Sequence, residues 1–133
     1  MTGNKEPPMP NLNQLFGKRS ETDAVTHLKK LGYTILETNY RNRLGEIDII
    51  AKDRETIAFV EVKARKSKSY GNPKWAITPK KQRKISMVAL SYLKATQQMN
   101  AKARFDVVAV TKNSENTTST IDVIRNAFEL AYG

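Results

Sequence analysis

Apolar and polar residues alternate along the middle of the chain in a way that is typical of β-strands. Residues 45–51 and 56–64 are rich in apolar positions, and the polar quartet 52–55 separates them by the length of a hairpin turn. Weaker alternation over 33–40 predicts a strand before them. The run RFDVVAVT at 104–111 and residues 120–124 predict two more, the last followed by a short segment around Phe128.

Two other segments have the 3.6-residue spacing of helices. The first runs from about Asn13 to Leu31 and is closed by Gly32, and the second begins with Thr78 as N-cap and Pro79 as first helical residue and runs to about Met99. Their predicted buried residues are Ala24, Val25, Leu28 and Leu31 in the first helix, and Ile85, Val88, Ala89, Tyr92 and Leu93 in the second. The order of elements predicts an α/β fold in which a mixed five-stranded sheet is flanked by helices.

The length of 133 residues suits one domain. The proline-containing residues 1–12 are predicted to be a disordered lead, so that the folded domain spans 13–133. No apolar run approaches the roughly 20 residues that cross a bilayer, and the first residues lack the apolar core of a signal peptide. We therefore expect a soluble cytoplasmic protein without a membrane partner.

Residue types restrict the chemistry further. The chain has no cysteine and a single histidine, which excludes disulfide frameworks, zinc ribbons, iron–sulfur clusters and thiol nucleophiles. Any metal ion must therefore be held by oxygen ligands. The serines have no recognisable histidine and aspartate partners, so a catalytic triad is not indicated either.

The net charge of +10 indicates a polyanionic partner, and its distribution indicates where that partner binds. Residues 63–84 contain nine Lys or Arg and no Asp or Glu, whereas acids concentrate between Glu37 and Glu61. The candidate nucleic-acid contacts are Arg65, Lys66, Lys68, Lys74, Lys80, Lys81, Arg83 and Lys84. Trp75, which lies among them, either stacks on bases or packs against the second helix.

Charged side chains interrupt the two central strands. With an even hairpin loop, opposed residues pair an even with an odd number, so that Glu46 and Asp48 share one sheet face with Glu61 and Lys63. The other face would then be wholly apolar, carrying Ile47, Ile49, Ala51, Ala58, Val60 and Val62. Close carboxylates repel one another, which leaves two interpretations open: a divalent metal site, or a salt-bridged cluster in which Lys63 pairs with a glutamate.

The motifs resemble a known family. Asp48 followed by Glu61-Val62-Lys63 is similar to the PD-(D/E)xK nuclease signature, with Ile47 in place of its proline. Together with GEIDIIA, FVEVKAR, RFDVV and a first helix carrying Gly17 and Glu21, the chain from about Leu15 to Phe128 resembles the YraN-type family. These are predicted bacterial endonucleases, related in fold to archaeal Holliday-junction resolvases.

The resemblance implies a restriction-endonuclease-like core and a role for each matching residue. Asp48 and Glu61 match metal-ligating carboxylates, and the carbonyl of Val62 would complete the protein ligands. Glu21 matches an acidic residue of the first helix that often binds the metal ion through a water molecule. Lys63 matches the lysine that orients the attacking water and neutralises phosphate charge. The implied cofactor is Mg²⁺ or Mn²⁺, and the implied catalytic set is Glu21, Asp48, Glu61 and Lys63. Glu46 has no secure counterpart and is assigned to a supporting position.

Two functions remain open from the sequence. The first is metal-dependent hydrolysis of nucleic-acid phosphodiesters by a DNA endonuclease of the resolvase-like type. The alternative is a non-catalytic nucleic-acid-binding module with a nuclease fold, acting in a DNA repair or recombination assembly. The sequence leaves open DNA against RNA, branched against linear substrates, a monomer against a homodimer, and the roles of Glu46, Trp75 and Asp106.

Overall fold

The computed structural model describes residues 12–65, 77–112 and 119–129, with side chains from residue 15 onward. It contains the predicted elements in the predicted order. They are α1 (Leu12–Lys30), β1 (Thr34–Asn42), β2 (Gly45–Asp53), β3 (Thr56–Arg65), α2 (Pro79–Ala95), β4 (Lys102–Lys112) and β5 (Ser119–Phe128). The predicted lead up to residue 12 lies, except for Leu12, outside the described residues.

The five strands form one sheet in the order β1-β2-β3-β4-β5. Neighbouring strands are antiparallel except for β3 and β4, which are parallel and are connected by the segment that contains α2. This arrangement confirms the mixed five-stranded α/β fold. Neither helix in the described part of the chain combines the length and the apolar character that crossing a bilayer requires.

The sheet separates two apolar clusters. α2 packs on one face against residues that include Ile50, Phe59, Phe105 and Val107. α1 packs on the other face against the alternate residues, including Ala58 and Val108. Because each face is covered, most residues of the central strands β3 and β4 are buried, and these include the acids Glu61 and Asp106.

Both helices begin or end with recognisable caps. The Thr78 hydroxyl accepts from the backbone N–H of Lys81 at 3.1 Å, which confirms the predicted N-cap of α2. α1 ends at Lys30, and Gly32, at φ +97°, allows the Tyr33 N–H to reach the Leu28 carbonyl. Leu31 therefore lies beyond the helix and is exposed, so its predicted place on the buried stripe is wrong.

The five predicted core residues of α2 are all buried, which confirms the interpretation of that face. The helix nevertheless ends at Ala95 rather than near Met99. Gln97 adopts φ +57°, and the Gln98 N–H bonds to the Leu93 carbonyl at 2.7 Å, which closes the last turn. A glutamine thus occupies the position that glycine usually marks, and this explains why the sequence pattern placed the end too late.

Candidate functional site

The candidate site lies where β2 and β3 separate. Their ladder is regular from Asp53↔Thr56 to Ile49↔Val60 and stops there. The even-with-odd pairing of opposed residues is confirmed, but the predicted four-residue turn is wrong: Asp53 pairs with Thr56, only two residues are unpaired, and the register is shifted by two residues. Beyond the last pair, the Val62 N–H donates to Asp48 Oδ2 at 2.8 Å instead of to a carbonyl of β2. A carboxylate therefore replaces a ladder partner.

This substitution also fixes the direction of the Val62 carbonyl. In an antiparallel ladder the N–H and C=O of one residue point to the same neighbouring strand. Because the Val62 N–H points to Asp48, its carbonyl faces the same gap between the strands. The gap thus presents a backbone oxygen in addition to side-chain carboxylates.

Alternation in β2 breaks at Asp48. Ile47 packs in the cluster with α2, whereas Ile49 packs in the cluster with α1, so the prediction that both share one apolar face is wrong. On the neighbouring strand, the residue facing Asp48 is Asn39, which has φ +52°. The strands are therefore irregular where Asn39 and Asp48 lie. Asp48 still lies beside Glu61, as predicted, and Glu61 belongs to the regular strand β3.

Asp48 and Glu61 form a closely coupled pair of carboxyl groups. Glu61 is only 3% exposed. Burial, and next the negative charge of Asp48, raise the pKa of Glu61 to about 8. Burial also raises the pKa of Asp48, against the N–H of Val62 and the charge of Lys81, which lower it. The buried Oε1 of Glu61 receives no hydrogen bond from a donor among the described residues, so this oxygen can take a cation, or a proton that Glu61 shares with Asp48.

Three cations surround the carboxylates, and their pairing differs from the salt-bridged interpretation. Lys81 of α2, not Lys63, forms the ion pair with Glu61, with Nζ 3.5 Å from Oε2. Arg41 of β1 holds Glu46 through Nη2 at 2.6 Å. Lys63 interacts electrostatically with this group: burial, and next the positive charge of Lys81, lower its pKa.

Glu21 approaches the pair from α1. Burial, followed by the negative charges of Asp48 and Glu46, raises the pKa of Glu21, while a hydrogen bond with Asn39 lowers it. Glu21 reaches this gap because it lies on the edge of the helix face that packs on the sheet. Its neighbours in the sequence point in other directions, since successive side chains of a helix point to different sides. Of the four predicted catalytic residues, Asp48 and Glu61 line the groove, and Glu21 and Lys63 interact electrostatically with Asp48 without lining it.

The donor set fits a hard divalent cation only in part. No three Asp, Glu or His side chains in the described ranges converge closely enough to form a complete protein cage. What converges is two carboxylates and one backbone carbonyl, and Mg²⁺ commonly binds through one or two carboxylates while keeping several waters. The opening continues into a groove of about 240 Å³ lined by Gly45, Glu46, Asp48, Glu61, Lys81, Lys84 and Ile85.

The predicted nucleic-acid contacts divide into three groups. Lys80, Arg83 and Lys84 are exposed on the first turns of α2. Lys81 reaches into the site, and Arg65 is partly buried, with its Nε donating to Thr111 Oγ1 at 3.0 Å. Lys66, Lys68, Lys74 and Trp75 lie outside the described residues.

A second polar cluster lies on the α1 face, toward the β2–β3 turn. Asp106, fully buried, accepts hydrogen bonds from Arg104 Nε, the Tyr33 hydroxyl and the backbone N–H of Asn126. Arg104 also donates to Asp53 at 2.8 Å. Asp106, whose role the sequence left open, therefore ties β4 to the end of α1, the hairpin turn and β5.

Sequence reasoning missed the specific role of Lys81 and the presence of Arg41. Lys81 was grouped with the other cations of its helix, although one signal distinguishes it: it is the third residue after the N-cap, where acidic or amide side chains are preferred. Arg41 lies directly opposite Glu46 in the β1–β2 ladder, and no local pattern shows this because β1 is irregular. Both residues depend on contacts between elements.

The described architecture is that of an α/β protein compatible with a restriction-endonuclease-like core, in which the sheet opens at a pair of carboxylates. The chain belongs to the uncharacterised protein family UPF0102, whose sequence profile matches residues 20–110. This is the YraN-type family that the motifs resemble.

Relatives extend the match over most of the chain. A UPF0102 protein of Desulfosudis oleivorans is 54% identical over 121 residues, covering 91% of this chain and 95% of the relative. One of Syntrophus aciditrophicus is 52% identical over 121 residues, with 91% and 94% coverage. A third, of Geobacter sulfurreducens, is 47% identical over 120 residues, with 90% and 93% coverage. These names state a family and no activity.

Proposed function

We propose that the protein is a metal-dependent endonuclease that hydrolyses phosphodiester bonds of DNA, of the resolvase-like type. The observation that carries the proposal is the buried, unpartnered Oε1 of Glu61 beside the carboxylate of Asp48. A protein that needed Glu61 only for an ion pair with Lys81 would have no reason to place a second, half-buried carboxylate against it, since the two repel each other. A site for a divalent cation explains both groups.

Asp48, Glu61 and the Val62 carbonyl would hold Mg²⁺ or Mn²⁺, with Glu21 acting through water. When bound, the metal ion lowers the pKa of water and neutralises charge that develops on the phosphate. The protein contributes the remaining requirements. Val62 fixes one Asp48 oxygen through its N–H, and burial of Glu61 excludes bulk water.

Lys63 supplies a positive charge that does not depend on the metal ion. It is partly buried on the same strand as Glu61, so the backbone of β3 fixes the position from which it reaches an attacking water or a phosphate oxygen. Burial, and next the positive charge of Lys81, lower the pKa of Lys63, so that its proton is held less tightly beside the reacting groups.

The exposed cations of α2 would bind the phosphate backbone beside the opening. Lys84 lines the groove beside Lys81, and Lys80 and Arg83 are exposed on the same two turns of the helix, where a duplex that presents its scissile phosphate to Asp48 and Glu61 would pass. Phosphate contacts of this kind give orientation without sequence preference.

The test is incubation of the protein with labelled linear, flapped and four-way DNA, and with RNA of the same shapes, in Mg²⁺, Mn²⁺ or chelator. Cleavage that requires the metal ion supports the proposal. Asp48→Asn and Glu61→Gln, which keep side-chain volume, are each expected to abolish cleavage while leaving the protein folded and able to bind DNA. Lys63→Ala is expected to abolish cleavage and to spare metal binding.

Asp122→Asn and Glu55→Gln are matched controls, because both carboxylates are exposed and away from the opening. A wild-type protein that binds no divalent metal in calorimetry and cuts no substrate of the panel, yet binds DNA, is the nucleic-acid-binding module instead. Unfolding of Asp48→Asn would assign the four charged residues to fold stability.

A further inference from the structure

Lys81 occupies an unusual position in α2. With Thr78 as N-cap it is the third residue of the helix, and its backbone N–H is the one that the Thr78 hydroxyl accepts from. A glutamate or glutamine is favoured there because its side chain returns to the N-cap and its charge complements the positive helix terminus. The first turn of α2 instead contains no acidic residue and carries lysines. The helix alone therefore gives no reason for a lysine at this position.

The contact with Glu61 offsets this cost. Lys81 Nζ lies 3.5 Å from Glu61 Oε2, and the two side chains differ sharply in burial, at 45% exposed for the lysine and 4% for the glutamate. The ammonium thus approaches from the solvent side, across the groove, toward a carboxylate fixed inside the sheet. A lysine stem with four methylenes can swing away from such a contact, whereas Glu61 cannot follow it.

The charge balance of the site changes when a divalent cation is bound. In the described structure Lys81 approaches Glu61 and Lys63 interacts with the same carboxylates, so lysine side chains are the groups that offset negative charge there. A divalent cation adds two positive charges at the carboxylates. Of the two lysines, Lys81 is the one on the solvent side of the groove, and its attraction to Glu61 then weakens.

We propose that Lys81 is a phosphate-binding residue of the reaction, which pairs with Glu61 in the metal-free protein and moves to the substrate phosphate when the metal ion takes its place. This inference rests on the proposed nuclease function and adds to it a residue outside the Asp and Glu-x-Lys motif. It assigns to Lys81 a role different from that of Lys80, Arg83 and Lys84, which contact the backbone from the exposed face of α2.

The exchange has a thermodynamic consequence. Lys81 and the metal ion compete for Glu61, so that removing the lysine charge strengthens metal binding in the absence of DNA. Metal ion and phosphate, in turn, favour each other, because each stabilises the arrangement that the other requires, and such coupling is reciprocal. A residue that served only to cap or solubilise the helix would show neither effect.

The experiment compares Lys81→Gln, Lys81→Arg and wild type, with Lys94→Gln as the control. Lys94 is an exposed lysine in the last turn of the same helix, remote from Glu61. Mn²⁺ affinity is measured by calorimetry without nucleic acid, and cleavage is measured as kcat and KM on the DNA that wild type cuts. For Lys81→Gln we expect Mn²⁺ affinity to rise by roughly 5-fold or more and kcat/KM to fall by at least about 10-fold, mainly through KM.

Lys81→Arg is expected to recover much of the cleavage, because it keeps a cation that binds phosphate. Thermal unfolding in chelator verifies that each variant is folded, and glutamine is a suitable residue at this helical position. Unchanged or weakened Mn²⁺ affinity in folded Lys81→Gln, or cleavage at the wild-type rate, overturns this inference while Asp48→Asn still tests the nuclease itself. If wild type neither binds Mn²⁺ nor cuts, the nuclease function and this inference fail together.

Discussion

At the scale of single residues, the site consists of two acidic side chains, the half-buried Asp48 and the buried Glu61, in a position where a negative charge is unfavourable. Glu61 is buried in the middle of the sheet, its neighbour Asp48 is also an acid, and only Lys81 forms an ion pair with it among the described residues. Burial of an uncompensated charge is costly, and the protein responds by holding a proton more tightly. The same burial that makes these carboxylates unfavourable would favour binding of a cation.

This strain predicts how stability depends on pH in the absence of metal. The pKa of Glu61 is raised from 4.5 to about 8 on folding, so the folded protein binds the proton more tightly than the unfolded chain does. The stability contribution is present in full below about pH 4.5 and is lost as pH rises toward 8. Glu61→Gln should remove most of this decline, as measured by urea unfolding in chelator across that range.

Glu55→Gln is the control for that measurement, since Glu55 is a largely exposed glutamate in the hairpin turn. Its stability should follow the wild-type curve at every pH. Parallel curves for Glu61→Gln and wild type would show that folding does not raise the pKa of Glu61, and would contradict the unfavourable burial of this carboxylate.

Glu21 tests how far the site extends. It lies on α1, interacts with Asp48 across the gap and forms a hydrogen bond with Asn39. We therefore expect Glu21 to bind a metal-bound water or to orient Asp48, and not to ligate the metal ion directly. Glu21→Gln should reduce cleavage by roughly 10- to 100-fold, the range for a residue that supports the metal ligands, and should keep the metal requirement. A complete loss of activity, equal to that of Asp48→Asn, would make Glu21 a direct ligand.

At the scale of helices and strands, the predictable parts are those fixed by short-range rules. Element order, the N-cap at Thr78 and the even-with-odd pairing of β2 with β3 follow from periodicity and an even turn length, and the structure has them. The end of α2 and the face of Ile47 do not follow, because they depend on left-handed backbone at Gln97 and Asn39. Neither residue is the glycine that usually marks such a conformation.

The same contrast applies to the candidate site. Asp48, Glu61 and Lys63 can be found from the sequence because strand alternation and hairpin register place them on one side. Lys81 and Arg41 cannot, since their roles depend on how α2 and β1 pack against β2 and β3. Sequence pattern thus specifies the residues that belong to the sheet and leaves open those that approach from its neighbours.

The buried Asp106 cluster is predicted to stabilise the fold. Asp106 accepts from Arg104, Tyr33 and the backbone of Asn126, so Asp106→Asn would remove a buried carboxylate that three donors share and leave Arg104 paired with Asp53 alone. Because Arg104 keeps one carboxylate partner, we expect the free energy of unfolding to fall by about 1–3 kcal/mol, measured by urea denaturation.

The effect should be confined to stability. Asp106 points to the α1 face of β4, whereas Glu61 lies on the α2 face of β3, so folded Asp106→Asn should keep Mn²⁺ affinity. Asp122→Asn on β5 is the control, because that carboxylate is exposed. A fully stable Asp106→Asn protein that has lost cleavage would instead assign Asp106 to the reaction.

At the scale of the whole molecule, the charge is divided between a basic surface and an acidic opening. The net charge of +10 would attract a polyanion at long range, and Lys81 and Lys84 of α2 line the groove that leads to Asp48 and Glu61. Repulsion between those carboxylates and a phosphate backbone opposes binding at short range. A divalent cation at the carboxylates would reverse this repulsion, which links substrate binding to metal binding.

If the exposed cations of α2 bind DNA, the affinity for DNA should depend on salt concentration through these residues. Each duplex phosphate that the protein neutralises contributes about 0.9 to the slope of log affinity against log salt. Lys80, Arg83 and Lys84 are all exposed on α2, so replacing the three by Ala should weaken DNA binding for every sequence and lower that slope by up to about 2.7. Fluorescence anisotropy in chelator, between roughly 50 and 200 mM salt, measures this without cleavage.

The triple replacement of Lys29, Lys30 and Lys52, which are also exposed but lie on α1 and near the hairpin turn, removes the same charge elsewhere. If both triple variants lower the slope equally, DNA responds to net charge alone and α2 is not the binding surface.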